Sequence, residues 1–228
     1  VATYLATVTY GAIIVPILQD FKANDAIHII NHSGAKLLFI SDANWEGIEH
    51  DQIPAVMAVF SLGNWHPIAM REELVANLTP EAILGIFNSR YPDGYKPADV
   101  HYDERLNNEV ASINYTSGTT GFSKGVVTPC NALAGNIRFA LDSRLTFRGA
   151  RHVTFLPLAH AYGCAFDFLS CLAAGGHTYL IGRTPSAKIL LKAFAEVKPD
   201  IILSVPLILE KIYKKMIAPQ ISKAPVSW

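Results

Sequence analysis

The sequence predicts an α/β fold with mainly parallel sheets and helices on both faces of the sheets. Short apolar runs alternate along the chain with segments of helical periodicity, and this alternation is typical of right-handed β-α-β crossovers. Half of the 228 residues are apolar, which is enough for the core of one large domain or two small ones. The segment 91–99 holds two prolines and an Asp-Gly turn and predicts a linker. We therefore place two subdomains at 1–95 and 96–228.

Residues Val1–Tyr10 of the first subdomain are predicted to be the end of a helix that stops at Gly11. A short buried strand is expected at 13–15, followed by a helix over 22–32 with Ser33 and Gly34 as its C-terminal cap. The remaining predicted elements are strands at 36–40 and 55–61 and helices at 70–77 and 79–89, the last with Thr79 as N-cap and Pro80 at its first position.

In the second subdomain the apolar run Val110–Tyr115 predicts a strand, and Val126 and Val127 indicate the start of another. Further helices are predicted at 128–145, 161–173, 184–197 (opened by Thr184 and Pro185) and 206–216, and further strands at 153–156, 177–181 and 200–205. Ligands of such sheets bind beyond the carboxyl ends of the strands. We therefore expect the loop after Tyr115 and the turn at Pro157 to face one crevice.

The loop between the two strands, Thr116–Gly125, holds five hydroxyl side chains, three glycines and one lysine. Glycines allow successive backbone N–H groups to point at one spot, hydroxyls add donors, and Lys124 adds a mobile positive charge. This composition suits an anion such as phosphate, although a flexible turn is the commoner outcome for an arbitrary loop of this kind. The loop is not a Walker A motif, because Ser123 precedes Lys124 and Gly125 follows it.

Overall composition excludes several classes of partner. The formal net charge is zero, so there is no electrostatic case for binding nucleic acid or an anionic membrane surface. The three cysteines lack metal-ligand spacing and suit a reducing compartment, so we expect a cytoplasmic protein. Residues 1–18 carry no charge, but Gly11 and Pro16 interrupt them, and a buried helix and strand are expected there rather than a transmembrane segment.

Residues 115–126 closely resemble the phosphate-loop signature of the AMP-forming acyl-adenylating enzymes, which include acyl-CoA synthetases and luciferases. Segments 10–16 and 30–40 resemble the matching upstream parts of that family, so the resemblance spans most of the chain. It implies that the chain is part of the large N-terminal domain of such an enzyme. It also implies that these loop residues hold the β- and γ-phosphates of ATP: Thr116, Ser117, Gly118, Thr119, Thr120, Gly121 and Lys124. Ser123 departs from the family pattern, which has proline there.

Two further segments resemble the long-chain branch of that family. Residues 155–163 resemble the Leu-Pro-Leu-x-His element of long-chain acyl-CoA synthetases, which implies that His160, with Tyr162 and Gly163, lines the junction of the acyl and nucleotide pockets. A lone histidine beside an apolar run is more often structural. Residues 204–213 resemble a Val-Pro-x-x-x-Glu-Lys-Ile segment, with Leu207 where that branch commonly has arginine.

The resemblance implies an acid–thiol ligase that activates a fatty acid with ATP to acyl-AMP and then passes the acyl group to CoA. Mg²⁺ is expected to bridge the phosphate oxygens, with no protein ligand assigned, and the partners are small-molecule substrates. The alternatives are an adenylating ligase for another carboxylate and a non-catalytic nucleotide- or acyl-binding module. A phosphoryl-transfer NTPase is disfavoured, because neither a Walker A loop nor kinase motifs are present.

The family's Tyr-Gly-x-Thr-Glu and Thr-Gly-Asp segments are missing from the 228 residues. We therefore assign no catalytic residue within this fragment and expect it to be inactive alone. We also expect surfaces left bare by truncation to favour self-association.

Overall fold

The computed structural model describes residues 1–75, 77–102, 104–116, 123–181 and 185–221. It divides into two compact units, one up to Cys130 and one from Asn131 on, and each is described by itself. The subdomain boundary drawn at residue 95 from the linker composition stays a prediction.

The helices and strands follow the predicted order for most of the chain. In these ranges the helices are α1 (Ala2–Tyr10), α2 (Ala23–Ser33), α3 (Asp42–Trp45), α4 (Pro80–Arg90), α5 (Cys130–Asp142), α6 (Ser170–Ala174), α7 (Ala187–Val197), α8 (Pro206–Ile212) and α9 (Ala218–Ile221). The strands are β1 (Leu37–Ile40), β2 (Ala58–Ser61), β3 (Pro67–Met70), β4 (Val110–Thr116), β5 (Lys124–Pro129), β6 (Arg151–Thr154) and β7 (His177–Leu180). Single 3₁₀ turns lie at His50–Gln52, Glu72–Leu74 and Pro97–Asp99, and π-helical segments at Gly163–Leu169 and Tyr213–Ile217.

The predicted α/β class is confirmed, and the sheets are small. Strand β1 pairs in parallel with β2, and β6 pairs in parallel with β7. Strand β3 runs antiparallel to β2, and β5 runs antiparallel to β4. The two antiparallel pairs follow from short connections, since neighbouring strands joined by a short loop form hairpins while parallel strands need a longer crossover.

The core of the first unit forms where α2 lies against the β1–β2 sheet. Ile30 of α2 clusters there with Leu38, Val59 and the connecting-segment residues Ile48 and Ile53. The apolar residues of α2 recur at helical spacing, so one face of the helix is buried while the other meets solvent. The helix ends at Gly34, whose φ of 67° is the left-handed conformation that glycine adopts without steric cost.

The core of the second unit lies between β6 and α7. Val153, Phe155 and Leu156 pack there against Leu190, which is almost fully buried. The N-terminus of α7 is capped by Ser186, whose Oγ accepts a hydrogen bond from the backbone N–H of Ile189 at 3.3 Å. The predicted cap, Thr184, lies outside the described residues.

Both short strands predicted beside the sheets are reduced to single bridges. At 13–15 only Ile14 pairs, in parallel with Ser112, and the side chain of Ile13 is 49% exposed. Pro16 has no N–H with which to extend this ladder. At 200–205 only Ile201 pairs, with His152. Asp200 instead accepts two hydrogen bonds from the Arg151 guanidinium, both at 3.0 Å.

Four helix predictions need correction. The segment 70–77 contains the end of β3 and one 3₁₀ turn, because pairing of Met70 with Ala58 overrides its helical pattern. Helix α5 begins at Cys130 rather than at 128, because Thr128 pairs with Ser112 inside β5. The helices predicted at 161–173 and 206–216 are only partly α-helical, since each contains one of the π-helical segments.

Candidate functional site

The predicted anion-binding loop lies at the end of the β4–β5 hairpin. Strand β4 ends at Thr116 and β5 begins at Lys124, and these two residues face each other in the strand register. Both are exposed, so the hairpin presents a hydroxyl and an ammonium group side by side to solvent. The predicted residues between them lie outside the described residues: Ser117, Gly118, Thr119, Thr120 and Gly121.

The ammonium group of Lys124 has no interaction partner within the described part of the chain. It makes no ion pair or side-chain hydrogen bond to any residue in those ranges. Most lysines of this kind lie on a solvated surface, but here the charge stands directly at the mouth of a glycine- and hydroxyl-rich loop. A cation that makes no ion pair with the described residues can bind an anion there without first breaking such a pair.

The loop end of this hairpin is packed around Tyr115, which the sequence analysis did not single out. Its side chain is only 6% exposed, and its hydroxyl lies 2.7 Å from Nδ1 of His32 in the last turn of α2. Burial raises the pKa of the Tyr115 hydroxyl. Opposite it stands Gly125, where an added Cβ would lie 3.2 Å from Tyr115 Cζ and 3.0 Å from Ile113 Cγ2. Glycine therefore leaves room for the tyrosine ring across the hairpin.

The second predicted site lies in the other unit, at the start of the π-helical segment. His160 is exposed, and its carbonyl accepts a hydrogen bond from the backbone N–H of Cys164 at 2.9 Å. Its imidazole makes no hydrogen bond to the described residues, unlike a typical structural histidine. The ring of Tyr162 is 44% exposed, with its centroid 5.6 Å from that of Phe166.

Gly163 has a packing function in this segment. It is buried, and an added Cβ would lie 3.0 Å from both Leu156 Cβ and the Pro157 carbonyl oxygen. The turn after β6 can therefore approach the helical segment closely only if this residue lacks a side chain. The single crevice predicted to join this segment with the loop after Tyr115 stays a prediction.

A buried polar cluster near β6 was missed from the sequence. His152 is fully buried and Asp167 is 1% exposed, with 3.6 Å between His152 Nδ1 and Asp167 Oδ1. The other ring nitrogen, Nε2, lies 3.0 Å from the hydroxyl of Thr146. Neither carboxyl oxygen of Asp167 has a hydrogen-bond partner among the described residues, and burial raises the pKa of this carboxyl. The only sequence signal was an aspartate inside the apolar run 163–169.

In the described ranges no three His, Cys, Asp or Glu side chains come close enough together to hold a metal ion. No helix there combines the length and the apolar composition needed to cross a membrane.

The chain is similar to known proteins over most of its length. The family model for AMP-binding enzymes matches residues 1–225. The long-chain-fatty-acid–CoA ligase FadD15 of Mycobacterium bovis is 29% identical over 218 residues, which cover 91% of this chain and 33% of that protein. Naringenin synthase of Pestalotiopsis fici is 27% identical over 186 residues, or 79% of this chain and 6% of that protein.

Solved structures show the same fold. ATP-bound MatB from Rhodopseudomonas palustris superposes with a TM-score of 0.69 at 19% identity, covering 93% of this chain and 38% of that one. A long-chain-fatty-acid–CoA ligase from Archaeoglobus fulgidus, FadD1, gives a TM-score of 0.68 at 21% identity over 93% of this chain and 38% of that one. The chain thus spans about a third of the length of the mycobacterial relative. With the family model matched over nearly its whole length, the chain belongs to the AMP-binding enzyme family.

Proposed function

We propose that the protein containing this chain is an acid–thiol ligase that activates a fatty acid with ATP to acyl-AMP and then transfers the acyl group to CoA. The observation that carries this proposal is the pairing of Thr116 and Lys124 across the mouth of the signature loop, with both side chains exposed. Membership of the AMP-binding family and the function that the name of the mycobacterial relative states support it. A cytoplasmic location stays an expectation from the cysteine content.

The loop residues are proposed to hold the β- and γ-phosphates of ATP. These residues are Thr116, Ser117, Gly118, Thr119, Thr120, Gly121 and Lys124. Attack of a carboxylate on the α-phosphate expels pyrophosphate, so negative charge grows on the departing group. Fixed N–H and hydroxyl donors with one ammonium group stabilise that charge without reorganising during the reaction.

The donor set also indicates how Mg²⁺ fits. Hydroxyl donors and a lysine suit phosphate oxygens, whereas Mg²⁺ prefers oxygen ligands that carry negative charge. We therefore propose that Mg²⁺ is held mainly by ATP phosphate oxygens and water, where it neutralises phosphate charge. The segment with the exposed His160 and Tyr162 and the buried Gly163 is proposed to line the junction of the acyl and nucleotide pockets, because it matches the long-chain element.

Replacement of Lys124 by alanine in the full-length protein tests the loop assignment. A charge-assisted hydrogen bond contributes about 1.5–3 kcal/mol, so kcat/KM for adenylation should fall about ten- to hundredfold. Thr120→Val should act in the same direction. The matched control is Lys188→Ala, which removes an exposed lysine from α7 and should leave the kinetics unchanged. Unchanged adenylation in Lys124→Ala would remove this residue from the site.

A pyrophosphate-exchange panel with fatty acids, acetate and amino acids tests the substrate class. We expect medium- to long-chain fatty acids to be preferred, and a clear preference for an amino acid would overturn the proposed subclass. MgATP binding without carboxylate-dependent exchange would instead identify a non-catalytic binding module. The 228-residue chain by itself should show no turnover, and turnover near that of a full-length enzyme would contradict our placement of the catalytic groups.

A further inference from the structure

The hairpin that carries Thr116 and Lys124 is joined to the core of its unit through one buried side chain. Tyr115 is the residue directly before Thr116, and its register partner Gly125 is the residue directly after Lys124. The absence of a side chain at Gly125 lets the tyrosine ring lie across both strands at close contact, as the 3.2 Å Cβ distance indicates. A movement of this ring is therefore expected to displace the backbone of both strands next to Thr116 and Lys124.

The hydroxyl of Tyr115 fixes the direction of that ring. It lies 2.7 Å from His32 Nδ1, and the two rings meet edge to face with 5.8 Å between their centroids. His32 lies one turn beyond Ile29, and both Ile29 and Ile30 are almost fully buried in α2. The helix is thus a rigid support, and the hydrogen bond connects it to the end of β4. Burial raises the pKa of the Tyr115 hydroxyl, so this group stays protonated. It donates to Nδ1 when the His32 proton is on Nε2 and accepts when the proton is on Nδ1.

We propose that the Tyr115–His32 hydrogen bond is a positioning contact for phosphate binding, one that holds the end of the hairpin so that Thr116 and Lys124 point together at the polyphosphate of ATP. The inference rests on the proposed function of the loop. Because Tyr115 is buried, it acts through the backbone of its two neighbours rather than as a ligand of the nucleotide. Small displacements at a binding site are costly because donors must lie within a few tenths of an ångström of their acceptors.

The expected size of the effect follows from the net contribution of one hydrogen bond, which corresponds to an approximately two- to twelvefold change in an equilibrium constant. Tyr115→Phe removes the hydroxyl and keeps the ring over Gly125, so the fold should survive. We expect KM for MgATP to rise about two- to twelvefold in the full-length protein, with a smaller change in KM for the acid. His32→Leu should have the same effect, and the double variant should be no worse than either single one.

Two variants separate positioning from general destabilisation. His32→Gln keeps a side-chain acceptor and should restore part of the MgATP affinity that His32→Leu loses. Tyr10→Phe, at a tyrosine that is 86% exposed, is the matched control and should leave KM unchanged. A KM for MgATP that stays at the wild-type value in Tyr115→Phe, or additive losses in the double variant, would overturn the proposal.

Hydrogen exchange without nucleotide provides a readout that does not depend on activity. In Tyr115→Phe the backbone amides at the loop end of β4 and β5 should exchange faster than in wild type, while those of β1 and β2 should not change. Equal exchange at the hairpin would refute the proposed contact even if the wild-type protein did not bind MgATP. Faster exchange combined with no MgATP binding by the wild-type protein would refute the phosphate-binding function of the loop, and with it the positioning function.

Discussion

Replacement of Asp167 by asparagine should flatten the dependence of stability on pH. The carboxyl group is 1% exposed, neither oxygen has a hydrogen-bond partner among the described residues, and burial raises its pKa above the ordinary value of 3.8. A raised folded-state pKa means that the folded protein binds a proton that the unfolded chain releases. This contribution to stability is fully present below pH 3.8 and is lost as the pH rises through the folded-state pKa.

The slope of the free energy of unfolding against pH follows from the linkage between proton binding and folding. One proton bound only in the folded state changes the free energy of unfolding by about 1.4 kcal/mol per pH unit. For a domain of 150–250 residues this corresponds to about 3–6 °C in Tm per pH unit. Asparagine has nearly the same shape as aspartic acid and does not titrate, so Asp167→Asn should remove this slope over the window between pH 3.8 and the folded-state pKa of Asp167.

The assay is thermal unfolding of the full-length protein at half-unit steps of pH, followed by a probe of the second unit. Two titratable neighbours accompany Asp167, namely His152 at 3.6 Å and the buried thiol of Cys171, so His152→Gln is measured in parallel. The control is Asp142→Asn, which removes an exposed carboxylate paired with Arg138. Equal slopes for the wild type and Asp167→Asn would refute the reasoning.

Three further outcomes are expected. Gly176→Ala should lower Tm strongly, because its Cβ would lie 2.9 Å from the Ala150 carbonyl oxygen, and a normal Tm would show that the backbone there can shift. Asp200→Asn should remove a stabilisation that is present above pH 3.8 and lost as the pH falls through about 2, since hydrogen bonds from Arg151 lower the pKa of Asp200 to about 2; acid unfolding of both proteins measures it. His160→Ala should change the dependence on acyl chain length or ATP without changing Tm, because its side chain is exposed, whereas a large loss of Tm with normal kinetics would identify a structural histidine.

The features that sequence predicted well are local ones. Thr79 caps α4 through a hydrogen bond from Ala82, three residues away, and Gly34 ends α2 in the left-handed conformation. The strands on either side of the signature loop were also predicted, because the apolar runs lie directly beside it. In each case the cause and its effect are separated by only a few residues.

The features that sequence missed depend on partners far apart in the chain. Strand β3 forms because Met70 pairs with Ala58, and no sequence pattern within 67–70 predicts that pairing. Tyr115 meets a histidine 83 residues earlier, and Asp167 meets His152 on another element. A single sequence records the identity of such residues but not which of them come together.

The π-helical segment Gly163–Leu169 is a place in the second unit where the chain can lose a residue without a change in the neighbouring elements. A π-helical turn contains more residues than an α-helical turn for the same rise, so the segment holds an additional residue relative to an α-helix. If one residue is deleted there, the segment can tighten toward α-helical geometry while α6 and β7 keep their positions. The side chain of Asp167 would then point in a different direction. A deletion within β6 has no such reserve, because it turns every later side chain of the strand to the opposite face. Length differences among natural relatives should therefore collect between Gly163 and Leu169 rather than in the strand before it.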